Sequence, residues 1–130
     1  MKEVYDFLKK CGTYYLSTIE NNKPKVRPFG TIDLFDQKLY IQTGKKKDVS
    51  KQIYQNPNVE LCAFKDGIWL RLSGELCADE RIEAKKHMLD LYPELRSMYS
   101  ELDQNTIVFY FKNATATFYS FTSEPKTIKF

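Results

Sequence analysis

The fold of this chain is decided by residues 25–57, which read KVRPFGTIDLFDQKLYIQTGKKKDVSKQIYQNP. The first part of this stretch alternates in character as a β-strand does, so successive side chains point to opposite faces of a sheet. One face carries Lys25, Arg27, Phe29, Thr31 and Asp33. The other face, which we expect to turn toward the core, carries Val26, Pro28, Gly30, Ile32 and Leu34.

The second part of the stretch changes from a strand to a helix. A tight turn at Asp36-Gln37 leads into a return strand over residues 38–43, and Gly44 ends that strand. Three lysines, residues 45–47, then accompany the start of a short helix that we expect over residues 46–55. A helix N-terminus offers unpaired N–H groups and a partial positive charge. Lysines beside such a terminus predict a phosphate site.

Composition indicates a single domain, residues 1–130, with enough apolar residues to form a core. Hydrophobic residues make up 42% of the chain and aromatic residues 15%, which favours strands. The net charge of +3 is too small to indicate nucleic-acid binding by itself. No apolar run approaches the roughly 20 residues that span a bilayer. The N-terminal stretch MKEVYDFLKK carries charges throughout, so we expect no signal peptide and no membrane partner.

The cysteines and the single histidine do not indicate a metal site. Cys11, Cys62 and Cys77 are odd in number and show no CxxC spacing, so we expect reduced thiols in a cytoplasmic protein. Cys62 is expected to be a buried strand residue. His87 lies on a lysine-rich helix, where we expect an exposed side chain without a catalytic role. The sequence therefore assigns no metal ligand and no catalytic acid or base.

The rest of the chain predicts a small antiparallel barrel. Short helices are expected over residues 2–10 and from an N-cap at Asp79 to about residue 91. Further strands are expected over residues 13–19, 59–65, 68–77, 107–111 and 115–121, with a hairpin turn at Asp66-Gly67 and a bulge or bend at Gly74. Closure into a barrel removes exposed sheet edges, so the expected fold is mainly β with peripheral helices. A doubly wound parallel sheet is excluded, because helices and strands do not alternate and GxGxxG is missing.

Four motifs in order carry a resemblance to a known family: YYLST, VRPFG, LYIQTGKKKDVSKQIYQNPNVELC and WLRLSGE. On these motifs the segment from Thr13 to Gly74 resembles the pyridoxamine 5′-phosphate oxidase-like flavin proteins, and within them the small branch of nitroimidazole-resistance-related proteins. The resemblance implies a split β-barrel that forms a homodimer with FMN at the interface. It also implies an oxidoreductase that passes electrons from a reduced nicotinamide to a small-molecule acceptor, as a nitroreductase does.

The resemblance further implies the residues that bind the cofactor. Arg27 would contact the FMN phosphate or ribityl chain, and Pro28 and Phe29 would lie along the flavin ring. The remaining implied residues are Gln42 and Thr43 at the ring and the phosphate end, Lys46 and Lys47 at the phosphate, and Trp69 and Arg71 from the second subunit. The larger true oxidases carry an Arg-Lys pair where this chain has Asp48-Val49, so the resemblance does not extend to pyridoxamine phosphate as substrate.

Three functions are compatible with these features. The first is the FMN-dependent oxidoreductase, and the second is a flavin-binding carrier, sensor or electron-transfer module without turnover. The third is a basic β-barrel that binds nucleic acid through the lysines of residues 45–51. The basic residues form one tight cluster instead of a groove-long stripe, which disfavours the third function. Structural roles are the alternative for the individual residues: a solvated strand arginine for Arg27, and core or dimer packing for Trp69.

Overall fold

An eight-stranded sheet forms the body of the molecule, with helices around it. The computed structural model describes residues 1–130. The strands are β1 (Tyr14–Glu20), β2 (Lys23–Phe29), β3 (Asp33–Phe35), β4 (Lys38–Gly44), β5 (Asn58–Lys65), β6 (Ile68–Asp79), β7 (Thr106–Ser120) and β8 (Lys126–Lys129). The helices are α1 (Lys2–Cys11), α2 (Asp48–Gln55) and α3 (Ile82–Leu91), and a 3-10 helix follows at Pro93–Ser97.

The strand order is β2-β1-β5-β6-β7-β4-β3, and β8 pairs with β7. Every pair of neighbouring strands is antiparallel. The two ends of this order, β2 and β3, follow each other directly along the chain, so the sheet curls back on itself without a β2–β3 ladder. This arrangement confirms the predicted α+β split barrel.

The core lies inside the curled sheet and is closed by two helices. Alternate residues of the central strands point inward, including the fully buried Leu16, Leu61 and Leu70. The amphipathic helix α1 adds Val4 and Leu8, and α2 adds Val49 and Ile53. None of the three helices has the length and apolar character that a membrane-spanning helix requires.

The strand predicted over residues 25–34 is two strands, and over β2 its faces are the reverse of those predicted, whereas Ile32 is buried as expected. Val26 is 68% exposed, and Arg27 lies opposite the buried Leu16 in the β1–β2 pair and therefore points inward. The ladder is interrupted over residues 30–32, because β2 pairs with β1 whereas β3 pairs with β4. There the hydroxyl of Thr31 accepts a hydrogen bond from the β4 backbone at 3.0 Å.

The two strands predicted over residues 107–111 and 115–121 are one strand of 15 residues, β7. The register between β6 and β7 shifts beside Gly74, which confirms the predicted bulge. A Cβ at Gly74 would lie 3.2 Å from the Ala114 Cα and from the Lys112 carbonyl oxygen. The bulge therefore lets β7 pass Gly74 at close range without ending. The C-terminal tail, for which the sequence predicts no element, forms β8.

The predictions for Asp79 and Cys62 were wrong. Asp79 ends β6 and does not cap α3, whose N-cap is Arg81. The Asp79 carboxylate instead accepts hydrogen bonds from the Tyr40 hydroxyl at 2.7 Å and from the Arg81 backbone at 3.1 Å. Cys62 is exposed on the outer face of β5, because the inward positions of that strand fall on its neighbours Leu61 and Ala63.

The single histidine lies closer to a carboxylate than the sequence indicates. His87 Nδ1 is 2.6 Å from Oδ2 of Asp33, whose side chain is buried, and the histidine ring packs against Phe35 at 4.6 Å between centroids. The contact joins α3 to β3, which are separated by more than fifty positions along the chain.

Candidate functional site

A cleft of about 320 Å³ opens where β2, β4 and the start of α2 meet the segment after α3. It is lined by Arg27, Pro28, Phe29, Gly30, Thr31, Gln42, Thr43, Lys47, Val49, Leu95, Met98 and Tyr99. Most of the cofactor residues that the resemblance implies therefore meet in one place. Lys46, Trp69 and Arg71 are outside this cleft.

Arg27 forms the polar floor of the cleft at the end near α2. Its Nη1 donates to the Leu16 carbonyl oxygen at 3.1 Å, and its Nη2 donates to Oε1 of Gln52 at 2.7 Å. Burial lowers the pKa of the Arg27 guanidinium from its ordinary value. Both hydrogen-bond acceptors are neutral, so this half-buried cation has no carboxylate partner within the chain.

Gln52 fixes the direction of Arg27, and sequence reasoning missed it. Its side chain is 5% exposed, accepts a hydrogen bond from the Thr18 hydroxyl, and donates to Oε2 of Glu20 at 3.4 Å. Buried polar groups need such partners, because an unpaired one costs free energy. The one signal in the sequence is a glutamine placed among the inward positions of α2, next to Ile53.

The lysines before α2 have three different environments. Lys45 Nζ is 2.7 Å from Oε2 of Glu80, and the Lys46 side chain is exposed and outside the cleft. Lys47 is the N-cap residue of α2 and lines the cleft without an ion pair. The N–H groups of Asp48 and Val49 at the first turn of α2 have no acceptor in the backbone. The start of α2 therefore offers one free ammonium group and free N–H groups.

The backbone between β2 and β4 forms the opposite wall. Thr31 Oγ1 accepts from the Gln42 N–H at 3.0 Å, and Gln42 Nε2 donates to the Thr43 carbonyl oxygen at 3.0 Å. The Phe29 ring packs on the buried ring of Tyr14, with 5.9 Å between centroids. This wall is consequently rigid, and it presents Pro28 and Phe29 along one side of the cleft.

The third wall comes from the segment after α3, to which sequence reasoning assigned no functional role. Leu95, Met98 and Tyr99 lie there, and Tyr99 packs against Gly44 at the end of β4. A Cβ at Gly44 would lie 3.2 Å from the Tyr99 hydroxyl and 3.0 Å from Nδ2 of Asn105. Gly44 is the only sequence signal for this wall, because a glycine permits close approach of a neighbouring group.

Asp103 holds the loop between this wall and β7. Its Oδ1 accepts from the N–H groups of Asn105 and Thr106, and its Oδ2 accepts from the Ser100 N–H and the Thr106 hydroxyl. Desolvation alone would raise the pKa of the Asp103 carboxyl. The hydrogen bonds from the Thr106, Ser100 and Asn105 amides outweigh desolvation and lower the pKa to about 2.

The variant Asp103→Asn is therefore expected to unfold more easily than the wild type at neutral pH. A depressed carboxyl pKa contributes stability above the unfolded-state value of 3.8, and this contribution disappears as the pH falls toward about 2. Urea denaturation of both proteins at several pH values between 7 and the acid range measures the difference. The gap between them should close in acid; a gap independent of pH would contradict the assignment. Glu124→Gln, on an exposed turn, is the control.

Trp69 and Arg71 lie on the outer face of the sheet, away from the cleft. Trp69 stacks on Tyr119 with 5.5 Å between ring centroids and contacts Phe121 at 5.2 Å. Arg71 Nε donates to Oε2 of Glu60 at 2.7 Å. We call the exposed or part-exposed aromatic group here, Phe64, Trp69, Tyr119 and Phe121, the outer aromatic patch.

The chemistry of the cleft is that of a binding site for an anion attached to a flat apolar body. Arg27, Lys47 and the N–H groups of α2 supply positive charge at one end. Phe29, Leu95 and Met98 supply apolar surface. No histidine or carboxylate lines the cleft, so its own side chains offer no general acid–base pair.

Comparisons with known proteins place the chain in a family. The family model for pyridoxamine 5′-phosphate oxidase matches residues 1–100. The crystal structure of a NimC/NimA family protein from Clostridium acetobutylicum is 40% identical, covers 100% of this chain and 92% of its own, and superposes with a TM-score of 0.96. No curated protein sequence matches the chain significantly.

Two more distant structures share the fold. General Stress Protein 26 from Bacillus anthracis is 20% identical, with 99% of this chain and 98% of that chain covered and a TM-score of 0.78. A pyridoxamine 5′-phosphate oxidase-related, FMN-binding protein from Nostoc punctiforme is 14% identical, with coverage of 97% and 90% and a TM-score of 0.63. Together with the match over residues 1–100, the fold and the cleft show that this chain belongs to the pyridoxamine 5′-phosphate oxidase family.

Proposed function

We propose that this protein is a cytoplasmic, homodimeric FMN-dependent oxidoreductase that passes electrons from a reduced nicotinamide to a small-molecule acceptor. One observation carries the proposal: Arg27 and Lys47 face one cleft, and neither has a carboxylate partner. Arg27 is partly removed from water, where a charge is normally paired, and the exposed Lys47 adds a second cation to the same cleft. An anionic ligand supplies the missing charge, and a flavin phosphate is such an anion.

The residues present fit FMN. Arg27 and Lys47 come from β2 and from the start of α2, and both are directed to the cleft, where an Arg fork and a Lys ammonium suit phosphate oxygens. The free N–H groups at the start of α2 add donors of the same kind. Phe29 and the wall of Leu95 and Met98 would hold the flat ring system. The cleft volume of about 320 Å³ is near the lower end of the volumes of ligand sites, which supports a further wall from a partner.

The outer aromatic patch supports the homodimer. Phe64 is 65% exposed and Phe121 is 91% exposed, and no helix covers the sheet where they lie. Exposed apolar patches of this kind mark interaction surfaces, and aromatic residues are enriched in the centres of interfaces. A two-fold dimer that sets this patch of each subunit against the cleft of the other makes the same contact twice. Trp69 and Arg71 would then lie beside the cleft of the partner, as the resemblance implies.

The redox chemistry belongs to the cofactor, since FMN accepts a hydride and passes on electrons one or two at a time. The residues of this chain have the tasks of holding the phosphate, fixing the ring against Pro28 and Phe29, and excluding water. No histidine or carboxylate lines the cleft, so its side chains do not select one acceptor over another. A nitro compound is the acceptor to test first, on the strength of the likeness to the NimC/NimA family protein.

FMN is expected to bind far more tightly than riboflavin, which lacks the phosphate. Hydrogen bonds to charged groups contribute about 1.5–3 kcal/mol each. Losing two of them reduces affinity on the order of a hundredfold or more. Titration of the apoprotein with each flavin, followed by fluorescence, gives both dissociation constants. Overlapping titration curves for the two flavins would show that the phosphate is not held by Arg27 and Lys47.

Turnover separates the oxidoreductase from a flavin carrier or sensor without catalysis. The FMN-loaded protein is mixed with a reduced nicotinamide under anaerobic conditions, and bleaching of the flavin absorbance is followed. A nitroaromatic acceptor is then added, and reoxidation of the flavin is recorded. Bleaching and reoxidation support the enzyme, whereas a bound flavin that no nicotinamide reduces supports the carrier. The nucleic-acid alternative is weakened by Lys45, which is paired with Glu80.

A further inference from the structure

The Tyr99 hydroxyl differs from the other hydroxyls near the cleft. The Tyr14 hydroxyl donates to the Thr31 carbonyl oxygen at 2.6 Å, and the Tyr92 hydroxyl bonds to the backbone of Ile32 at 3.1 Å. The Tyr99 ring is part-buried and lines the cleft, yet its hydroxyl makes no hydrogen bond within the chain. A tyrosine hydroxyl that lines a cleft and has no partner within the chain is free to donate a hydrogen bond to a ligand.

The position of this hydroxyl is fixed by close packing. It lies 3.2 Å from the point where a Cβ would stand on Gly44, at the end of β4. The chain then passes through Lys45 and Lys46, whose N–H groups donate to the backbone and side-chain oxygens of Asn105 at 2.7 and 3.1 Å. Lys47 follows directly and lines the same cleft as Tyr99. The hydroxyl therefore lies beside Gly44, whose carbonyl oxygen accepts a hydrogen bond from the Lys47 N–H at 3.1 Å.

The residues next to Tyr99 on the same wall are apolar, unlike its hydroxyl. Leu95 and Met98 line the same wall with apolar side chains. The backbone N–H groups of Met98 and Tyr99 both donate to the Leu95 carbonyl oxygen, at 3.0 and 2.9 Å. This single turn thus presents an apolar surface together with one hydroxyl. It matches a ligand whose flat apolar part continues into an anionic group.

We propose that Tyr99 binds the ligand's phosphate, its hydroxyl donating a hydrogen bond to a phosphate oxygen alongside Arg27 and Lys47. The inference rests on the proposed FMN function and assigns the segment after α3 to the cofactor site. A phenol donates one directed hydrogen bond, which is stronger to an ionised oxygen than to a neutral one. Tyr99 also connects cofactor binding to the fold, because the ring that carries the hydroxyl packs on Gly44.

The test compares Tyr99→Phe with the wild type in titrations with FMN and with riboflavin. The substitution keeps the ring on Gly44 and removes only the hydroxyl. We expect the FMN dissociation constant to rise about tenfold, since one hydrogen bond to a charged group is lost. The riboflavin dissociation constant should change less than about twofold. Tyr54→Phe, which removes a hydroxyl from an exposed tyrosine on α2 outside the cleft, is the matched control.

A second variant tests the placement of the hydroxyl. In Gly44→Ala the new Cβ approaches the Tyr99 hydroxyl, so the ring must shift, and FMN should again weaken more than riboflavin. An unchanged FMN constant in Tyr99→Phe, or an equal loss for both flavins, would overturn the inference and leave the proposed function standing. A wild type that binds neither flavin would overturn both.

Discussion

The double variant Arg27→Ala/Lys47→Ala is expected to fold and to lose FMN binding by a hundredfold or more. The two residues come from β2 and from the start of α2, yet both line one cleft and neither has an anionic partner. Each would give FMN a hydrogen bond between charged groups, which contributes about 1.5–3 kcal/mol. Because a ligand stabilises the native state that binds it, added FMN should raise the melting temperature of the wild type and hardly that of the variant.

The contacts of Arg27 determine how this experiment is controlled. Removing the guanidinium leaves Gln52 with the Thr18 hydroxyl as donor, so the amide oxygen of Gln52 is still paired. Lys47→Ala alone removes no contact within the protein and should already lower FMN affinity. Lys65→Ala/Lys112→Ala removes two cations outside the cleft and should bind FMN as the wild type does. Equal stabilisation of the wild type and the Arg27/Lys47 double variant by FMN would place the phosphate elsewhere.

The variant Trp69→Glu is expected to convert the proposed dimer to monomers. Trp69 lies in the outer aromatic patch between Tyr119 and Phe121, and a carboxylate there would have to be buried against apolar rings in the dimer. Truncating a central aromatic in an interface costs about 2 kcal/mol or more, and an unpaired buried charge adds to that cost. Sedimentation velocity at micromolar protein concentration measures the change. FMN affinity should fall as well, because each cleft would lose the wall that the partner supplies.

The controls for this variant distinguish loss of the interface from loss of the fold. Trp69 is only part-buried in the subunit, so the monomer should keep its circular dichroism spectrum. Lys112→Glu reverses an exposed charge outside the patch, and this variant should remain a dimer. A wild type that sediments as a monomer with flavin bound would refute the homodimer. A Trp69→Glu protein that stays dimeric would show that the subunits meet through another surface.

The elements themselves were largely predictable, because short-range chemistry specifies them. The hairpin turns at Asp36-Gln37 and Asp66-Gly67 adopt positive φ angles, which are the angles that such residues permit in tight turns. The end of α1 at Gly12 and the bulge at Gly74 follow from the same backbone freedom. These features depend on a few neighbouring residues, so a single sequence is enough to find them.

The faces of β2 were not predictable in the same way. Alternation shows which residues share a face, but it does not show which face belongs to the core of the subunit. Val26 is apolar and exposed, whereas the charged Arg27 points inward. Both faces of β1 also carry apolar residues, such as Leu16 inside and Tyr15 outside. When both faces of a strand carry apolar residues, the strand's own sequence does not show which face packs into the core. That choice depends on the rest of the fold.

The family resemblance implied residues in two parts of the candidate site, the Arg27–Lys47 end and the wall between β2 and β4. It did not imply the wall from the segment after α3. Arg27, Gln42 and Lys47 were implied by the family resemblance, and they do line one cleft. Residues 95–99 have no helical or strand periodicity, and their place depends on the fold of α3 and on the loop held by Asp103. Contacts across such a distance in sequence leave no local pattern, and Gly44 alone marks where the loop returns.

The length and position of β7 have a consequence for how the protein is made. β4 and β6 both pair with β7, and neither is paired with the other. A ribosome synthesises β4 and β6 before residues 106–120. Until then the nascent chain carries two open strand edges, which can pair with other chains and aggregate. Chains that end before Thr106 are therefore expected to aggregate. Slow synthesis of β7 would also leave the growing chain open to chaperones for longer.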